Sequence, residues 1–403
     1  MTRFLFSLFL AAAAALAQPL TGLWDASIVS GGLRIPFRME FSAEPSGAAQ
    51  GSFFNGDEKV TSTSGRFSEG KLELRFDYYA ATLTANLADG ILTGQYVRAG
   101  RAVPFEAKPF VRPAAAPEAA PSIAGLWEVG VKSSKGEGAW RFIVRQSGAA
   151  VSAAILRVDG DTGTLEGVYH DGKFVLSHFD GARPAVLEVI PEKDGTLTVV
   201  QNGRERLTAV RATEAREKGL PLPADPSRHT SVKDPAAPLH FAGTDLNGVA
   251  VTDQDARFRG KVVVLAIGGS WCPNCHDEAP FLVELYRKYH ARGLEIVALD
   301  FEEADQLQNP ERLRAFIRKY GITYPVLLAG TPSELSAKLP QAVNLNAWPT
   351  TFFLGRDGRV RAVHAGFAGK ASGEFHEQMR EEVTALIERL LGEDSASSAL
   401  PGR

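Results

Sequence analysis

The sequence predicts a multidomain protein: two all-β repeats, each a small barrel or sandwich, followed by an α/β domain. Three observations carry this. The 403 residues exceed one ordinary domain of about 100–200 residues. A pair of short motifs recurs across the first half. Two proline-rich stretches divide the chain, and after the second the hydrophobic period changes. Composition is that of a folded protein: 44% hydrophobic and 23% charged excludes a largely disordered chain. A net charge of −3 gives no basic surface for nucleic acid or an anionic membrane. Two cysteines exclude both a disulfide-stapled scaffold and a four-cysteine zinc site.

The N-terminus carries Arg3, an apolar run from Phe4 to Leu16, and the small-x-small sequence Ala15-Leu16-Ala17. This pattern predicts a secretory signal peptide over residues 1–17, with cleavage before Gln18. The run is too short to span a bilayer comfortably. Export would place the chain in an oxidising compartment, the periplasm, where a lone cysteine pair is either structural or held for redox work.

The first repeat is expected over residues 18–112, a Pro/Ala linker over 113–121, and the second repeat over 122–212. Gly22-Leu23-Trp24-Asp25 recurs as Gly125-Leu126-Trp127-Glu128, and Gly65 to Leu74 recurs as Gly167 to Leu176. Two copies are too few for a solenoid. Leu72, Leu74 and Phe76 alternate with Glu73 and Arg75, as a half-buried strand requires. Phe142 and Val144 alternate with Arg141, Ile143 and Arg145 in the same way. Ala185–Ile190 and Thr196–Val200 read as strands around the turn Glu192–Gly195. The Gly-x-Trp opening resembles the first strand of lipocalin-like barrels. That resemblance implies either a ligand- or partner-binding barrel or, as favoured here, two tryptophans that plug the cores.

Pro221, Pro223, Pro226 and Pro235 mark a second linker over residues 213–237. The α/β domain follows over 238–392, with a tail at 393–403. Lys261–Ile267 is a continuous apolar run, as in a buried parallel strand. Helical spacing runs from Pro280 to Ala291 and again from Glu311 to Tyr320. Leu294–Leu299, Tyr324–Leu328 and Thr350–Leu354 read as strands. Val360–Val363 pairs back through the turn Arg356–Arg359, and Gly373–Leu391 closes as an amphipathic helix.

Gly269-Ser270-Trp271-Cys272-Pro273-Asn274-Cys275 joins the apolar strand to the first helix. A cysteine at a helix N-terminus meets unpaired N–H groups and the positive end of the helix dipole, which favour a thiolate. A second cysteine three residues on lies one turn away. Such a pair can gain or lose two electrons by thiol exchange.

From about Pro238 to Leu391 the chain resembles the TlpA/ResA-like thiol-disulfide oxidoreductases of the thioredoxin-like redoxin superfamily. The matching residues are Asp245 to Gly248, Phe258 to Val262, Trp271 to Cys275 with Pro280 beyond, Trp348-Pro349-Thr350-Thr351-Phe352, and Asp357-Gly358. The extra helix and strand between Asp300 and Leu328 match an insert of that group. The resemblance implies that Cys272 attacks a disulfide and Cys275 resolves it. It implies that Pro349 is a cis-proline facing the pair, and that Glu278 shuttles a proton for Cys275. Trp271, Trp348 and Thr350 would then contact substrate. No cofactor is implied beyond the Cys272–Cys275 disulfide, and no metal. A protein client and a separate electron donor are implied. Ala266 replaces the buried acid of thioredoxin itself, closing that proton route.

Other chemistries are weaker. Cys272–His276 also fits the C-x-x-C-H haem-attachment pattern, but it is wedged between a buried strand and a helix. His276 is expected instead to be exposed and to modulate the thiolate. Gly269 stands where a peroxiredoxin carries threonine, which argues against a thiol peroxidase. His170 and His178, beside Asp171 and Asp180, are expected at the surface, and Glu302, Glu303 and Asp305 in a solvated loop. The contrasting class is an envelope binding or assembly protein, in which the β repeats bind a ligand or partner and the redox domain is auxiliary.

Overall fold

The computed structural model describes residues 20–112 and 119–393. The expected signal peptide, most of the Pro/Ala linker and all but Glu393 of the expected tail lie outside the described residues.

Strict alternation builds the first unit. Lys71–Phe76 buries Leu72, Leu74 and Phe76 and exposes Glu73 and Arg75. Nine strands form one antiparallel sheet, in which the last, Arg101–Pro109, returns to pair with the first, Gly22–Ser30. Its edge strands are Glu58–Thr61 and Ser64–Ser68, so the sheet curls into a half-barrel. Gly31 and Gly32 both take positive φ at the first hairpin turn, a conformation that costs other residues strain. The second unit also has nine strands, and here Ala139–Ser147 pairs with Ala150–Arg157 to close the barrel.

Each unit is filled mainly by its own side chains. Phe41, Phe53, Phe76 and Leu83 fill the first, and Phe142, Phe174, Leu176 and Val199 the second. Burying each such side chain contributes roughly 1.5–3 kcal/mol. Trp24 and Trp127 are core residues: Trp24 packs edge-on to Phe41, and Trp127 donates its indole N–H to the Ile123 carbonyl at 2.8 Å. Phe179 of the second unit inserts between Phe37 and Phe53 of the first, with ring centroids 4.8 and 5.2 Å away.

This junction corrects one surface assignment. His170 is exposed, but His178 and Asp180 are buried between the units. His178 donates from Nδ1 to the Thr164 carbonyl at 2.9 Å, and Asp180 accepts from Arg183 at 2.7 Å.

The stretch 213–237 is not a free spacer. It holds a short helix, Pro226–His229, and the strand Ser231–Val232, which pairs with Ala342–Val343. Proline limits ladder hydrogen bonds without preventing a segment from docking.

The C-terminal domain is a seven-stranded mixed sheet. Val262–Gly268 is an interior strand, parallel to the middle strand Leu294–Phe301 and antiparallel to Thr350–Leu354. Apolar side chains cover both faces, with the helices Pro273–Tyr289 and Glu374–Gly392 against one of them. The first of these helices begins at Pro273, so the cysteine motif opens it as expected. Pro280 stays within it as an exposed residue. Among the described residues, no helix is long and apolar enough to cross a membrane.

Candidate active site

The interior strand Val262–Gly268 delivers the motif to the C-terminal end of the sheet, where ligands meet open α/β folds. All seven residues of Val262–Gly268 are buried. The chain then turns at Gly269, where a Cβ would lie 2.4 Å from Trp271 Nε1 and 2.6 Å from the Phe301 carbonyl. Only glycine fits. Ser270 anchors the loop: its N–H donates to Glu302 Oε1 at 2.5 Å, and its hydroxyl accepts from Arg312 Nε at 2.8 Å. Arg312 also pairs with Glu302 at 2.6 Å and with Glu303 at 2.5 Å. Glu302 is fully buried, which corrects the expected solvated loop. Its charge is tolerated because the guanidinium comes from the inserted helix Glu311–Tyr320.

Cys272 is the N-cap of the motif helix, with Pro273 at the first helical position, where its missing N–H costs nothing. The Cys272 sulfur accepts the Cys275 backbone N–H at 3.3 Å. Both residues are buried free thiols, 3% and 6% exposed. Burial pushes the Cys275 thiol well above its ordinary range, and the neighbouring Cys272 and the Glu278 charge add to this.

Glu278 is buried one turn further on. Its Oε1 accepts the Thr351 hydroxyl at 2.7 Å, which ties the motif helix to the proline loop. Burial pushes its carboxyl up to about 7, against the lowering effect of that hydrogen bond. The Trp348–Pro349 peptide bond is cis, and the Pro349 carbonyl accepts the Gly366 N–H at 2.7 Å. Trp348 meets Trp271 edge-on at 5.3 Å and Phe301 at 5.9 Å. Trp271 in turn donates to the Phe301 carbonyl at 2.8 Å. The two half-buried indoles form an aromatic wall beside the pair. Thr350 departs from expectation: its side chain is fully buried and donates to the Ala347 carbonyl at 2.9 Å, so it supports the loop from inside.

His276 is corrected most sharply. It is 4% exposed, in a box of Tyr78, Tyr79, Phe316 and Tyr320. Nε2 donates to the Ser270 carbonyl at 2.9 Å, and Nδ1 accepts from the Tyr320 hydroxyl at 3.0 Å. Burial pushes its pKa down to about 3, so it stays neutral. Both ring nitrogens are taken, and neither is offered to a haem iron. The histidine is buried because the first β unit supplies Tyr78 and Tyr79.

One carboxyl escaped the sequence reading. Asp300 is next to last in the strand Leu294–Phe301 beside the motif strand, in register with Gly268, and is buried. A Cβ at Gly268 would sit 3.3 Å from the Cys275 sulfur and 3.4 Å from Asp300 Oδ1. Burial, with Glu302 and Glu278 nearby, holds the Asp300 carboxyl well above its ordinary range. The available signal was a second acid, after Glu295, near the end of the otherwise apolar run Leu294–Phe301. Among the described residues, no group of three or more His, Cys, Asp and Glu side chains is arranged to hold a metal ion.

The sheet, the capped cysteine turn and the cis-proline before the strand Thr350–Leu354 define a thioredoxin-like redoxin. Residues 232–363 match the AhpC/TSA family. The thiol-disulfide oxidoreductase ResA of Bacillus thuringiensis (strain Al Hakam) is 34% identical over 121 residues, 30% of this chain and 63% of that protein. ResA of Geobacillus kaustophilus (strain HTA426) is 32% identical over 136 residues, 34% of this chain and 71% of that protein. The chain thus spans 63% of the first of these relatives. It belongs to the ResA-like redoxins. A solved structure, a putative thiol:disulfide interchange protein DsbE from Chlorobium tepidum, is similar at 24% identity and a TM-score of 0.31, covering 40% of this chain and 98% of that one.

Proposed function

We propose that this protein is an exported thiol-disulfide oxidoreductase that reduces disulfides in protein clients. The observation that carries this reading is the Cys272 sulfur capping the motif helix and accepting the Cys275 N–H. Family membership supports the same chemistry.

In the proposed cycle the Cys272 thiolate attacks a client disulfide. A bond forms between Cys272 and one client sulfur, and the other leaves as a thiolate that takes a proton. Cys275 then loses its proton and attacks the Cys272 sulfur. The Cys272–Cys275 disulfide forms and the second client thiol is released. The raised Cys275 thiol needs a base at this step. Glu278, balanced at about 7, suits that role. Trp271, Trp348 and the Pro349 loop would bear on the client. The chain has two cysteines, so a separate donor must restore the dithiol.

Turnover of insulin disulfides with a chemical donor tests the reading. Wild-type protein should reduce insulin and Cys272→Ser should not; equal rates would overturn it. Export is tested by the mass of the protein recovered from the periplasm, which should begin at Gln18.

A further inference from the structure

Neither β unit hangs free of the redox site. Both reach the short turn that holds the cysteines. From the first unit, Arg98 Nη2 donates to the Trp271 carbonyl at 2.9 Å, with its guanidinium 5.2 Å above the Tyr79 ring. From the second, the Asp159 carbonyl accepts Asn274 Nδ2 at 2.7 Å, and Arg183 Nη1 donates to Asn274 Oδ1 at 3.1 Å. Asn274 lies between the two cysteines, so its amide is held at both ends by the second unit.

The same loop of the second unit also touches the opposite wall of the site. Gly160 bridges to Phe367, and a Cβ there would lie 2.5 Å from the Phe367 carbonyl and 2.7 Å from Asn274 Nδ2. A Cβ on Gly366 would lie 2.2 Å from the Val158 carbonyl. Gly366 is the residue whose N–H holds the Pro349 carbonyl. Asp161 accepts the Ser372 hydroxyl at 2.7 Å. One loop therefore braces the cysteine turn on one side and the cis-proline loop on the other. Glycines at both close approaches leave no room for the surfaces to shift.

We propose that the loop Val158–Asp161, with Arg98 and Arg183, is a positioning element that sets the dithiol–disulfide equilibrium of Cys272 and Cys275. This rests on the dithiol reading above. Oxidation takes two electrons and two protons from the thiols and forms the S–S bond; a glutathione disulfide accepts both and becomes two thiols. A turn held at Trp271 and Asn274 has less freedom to adjust when that bond closes. The brace holds the turn so that the Cys272 sulfur caps the helix and accepts the Cys275 N–H, a contact that stabilises the thiolate, so it favours the reduced pair, and loosening it favours the disulfide. By linkage, oxidation must loosen the brace to the same degree.

The experiment is a redox titration of the full chain in glutathione buffers, read by thiol alkylation and mass. Arg98→Met and Arg183→Met should each favour the disulfide, and the double variant by about tenfold, equivalent to ~30 mV for this two-electron couple. Arg183→Lys should recover part of the shift. Arg183→Met and Asn274→Ala should be non-additive, because they remove one shared contact. Arg34→Met, at an exposed ion pair with Glu106, should titrate as wild type. If Arg183→Met does not fold, Arg98→Met carries the test. Folded variants that titrate within about twofold of wild type overturn the brace alone. A wild-type protein that forms no reversible Cys272–Cys275 disulfide overturns the dithiol reading and the brace with it.

Discussion

The Thr351 hydroxyl donates to Glu278 Oε1 at 2.7 Å, joining the strand after the cis-proline to the helix that carries both cysteines. The bond favours the charged carboxylate, while burial opposes it and leaves Glu278 at about 7. If Glu278 takes the Cys275 proton, turnover should rise with pH through about 7. Glu278→Gln should abolish that inflection and slow turnover by roughly 10²-fold. Thr351→Val should move the inflection upward, since the charged form loses a donor. A pH–rate profile of the three proteins checks this.

The same carboxyl affects stability. Its folded pKa is raised, so the folded state binds the proton more tightly than the unfolded chain. The stability this contributes is present at low pH and is lost as pH rises through about 7. Glu278→Gln should therefore gain on wild type above pH 7, by up to an amount on the order of 3 kcal/mol. Urea unfolding at pH 5 and pH 8 measures it.

His276 has the opposite sign. Its folded pKa is depressed to about 3, so the unfolded chain binds its proton more readily. That stability is present above the ordinary histidine pKa of about 6.5 and is lost as pH falls toward about 3. His276→Phe should flatten the acid limb of a stability–pH curve. It should also cost about 1–3 kcal/mol at neutral pH, because Tyr320 and the Ser270 carbonyl lose their partner.

Arg312 is the counterion of a fully buried Glu302. Arg312→Met should cost about 3–5 kcal/mol, since it strands a buried carboxylate. Adding Glu302→Gln should recover much of that loss. Thermal melts of the single and double variants check the coupling.

Gly269→Ala should break the Trp271–Phe301 hydrogen bond, because the added methyl occupies the space of the indole N–H and the Phe301 carbonyl. A backbone carbonyl in a sheet cannot move aside. The expected cost is about 1–3 kcal/mol, with a changed tryptophan emission spectrum and slower turnover of insulin.

Much of the architecture was legible locally. Alternation at Leu72, Leu74 and Phe76 marks a half-buried strand, because side chains on a strand point to opposite faces. The apolar run Val262–Ile267 marks a strand covered on both faces. The cysteine motif at the strand-to-helix junction located the candidate site, since spacing along one helix turn is a local property. The docking of the proline-rich stretch 213–237 was not legible, because composition reports what a segment cannot do alone, not where it docks.

By itself, then, the sequence determined the element types, the three-part order and the position of the cysteine pair. Each depends on residues within a turn or a strand of one another. Only the tertiary structure decided the surroundings. It buried His276 under Tyr78 and Tyr79, paired Glu302 with Arg312, set both Asp300 and Cys275 against Gly268, and laid Asp159 and Arg183 on Asn274. Most of these join residues far apart in the chain. Whether a polar side chain is solvated, neutralised or held depends on what packs over it, and no local pattern encodes that cover.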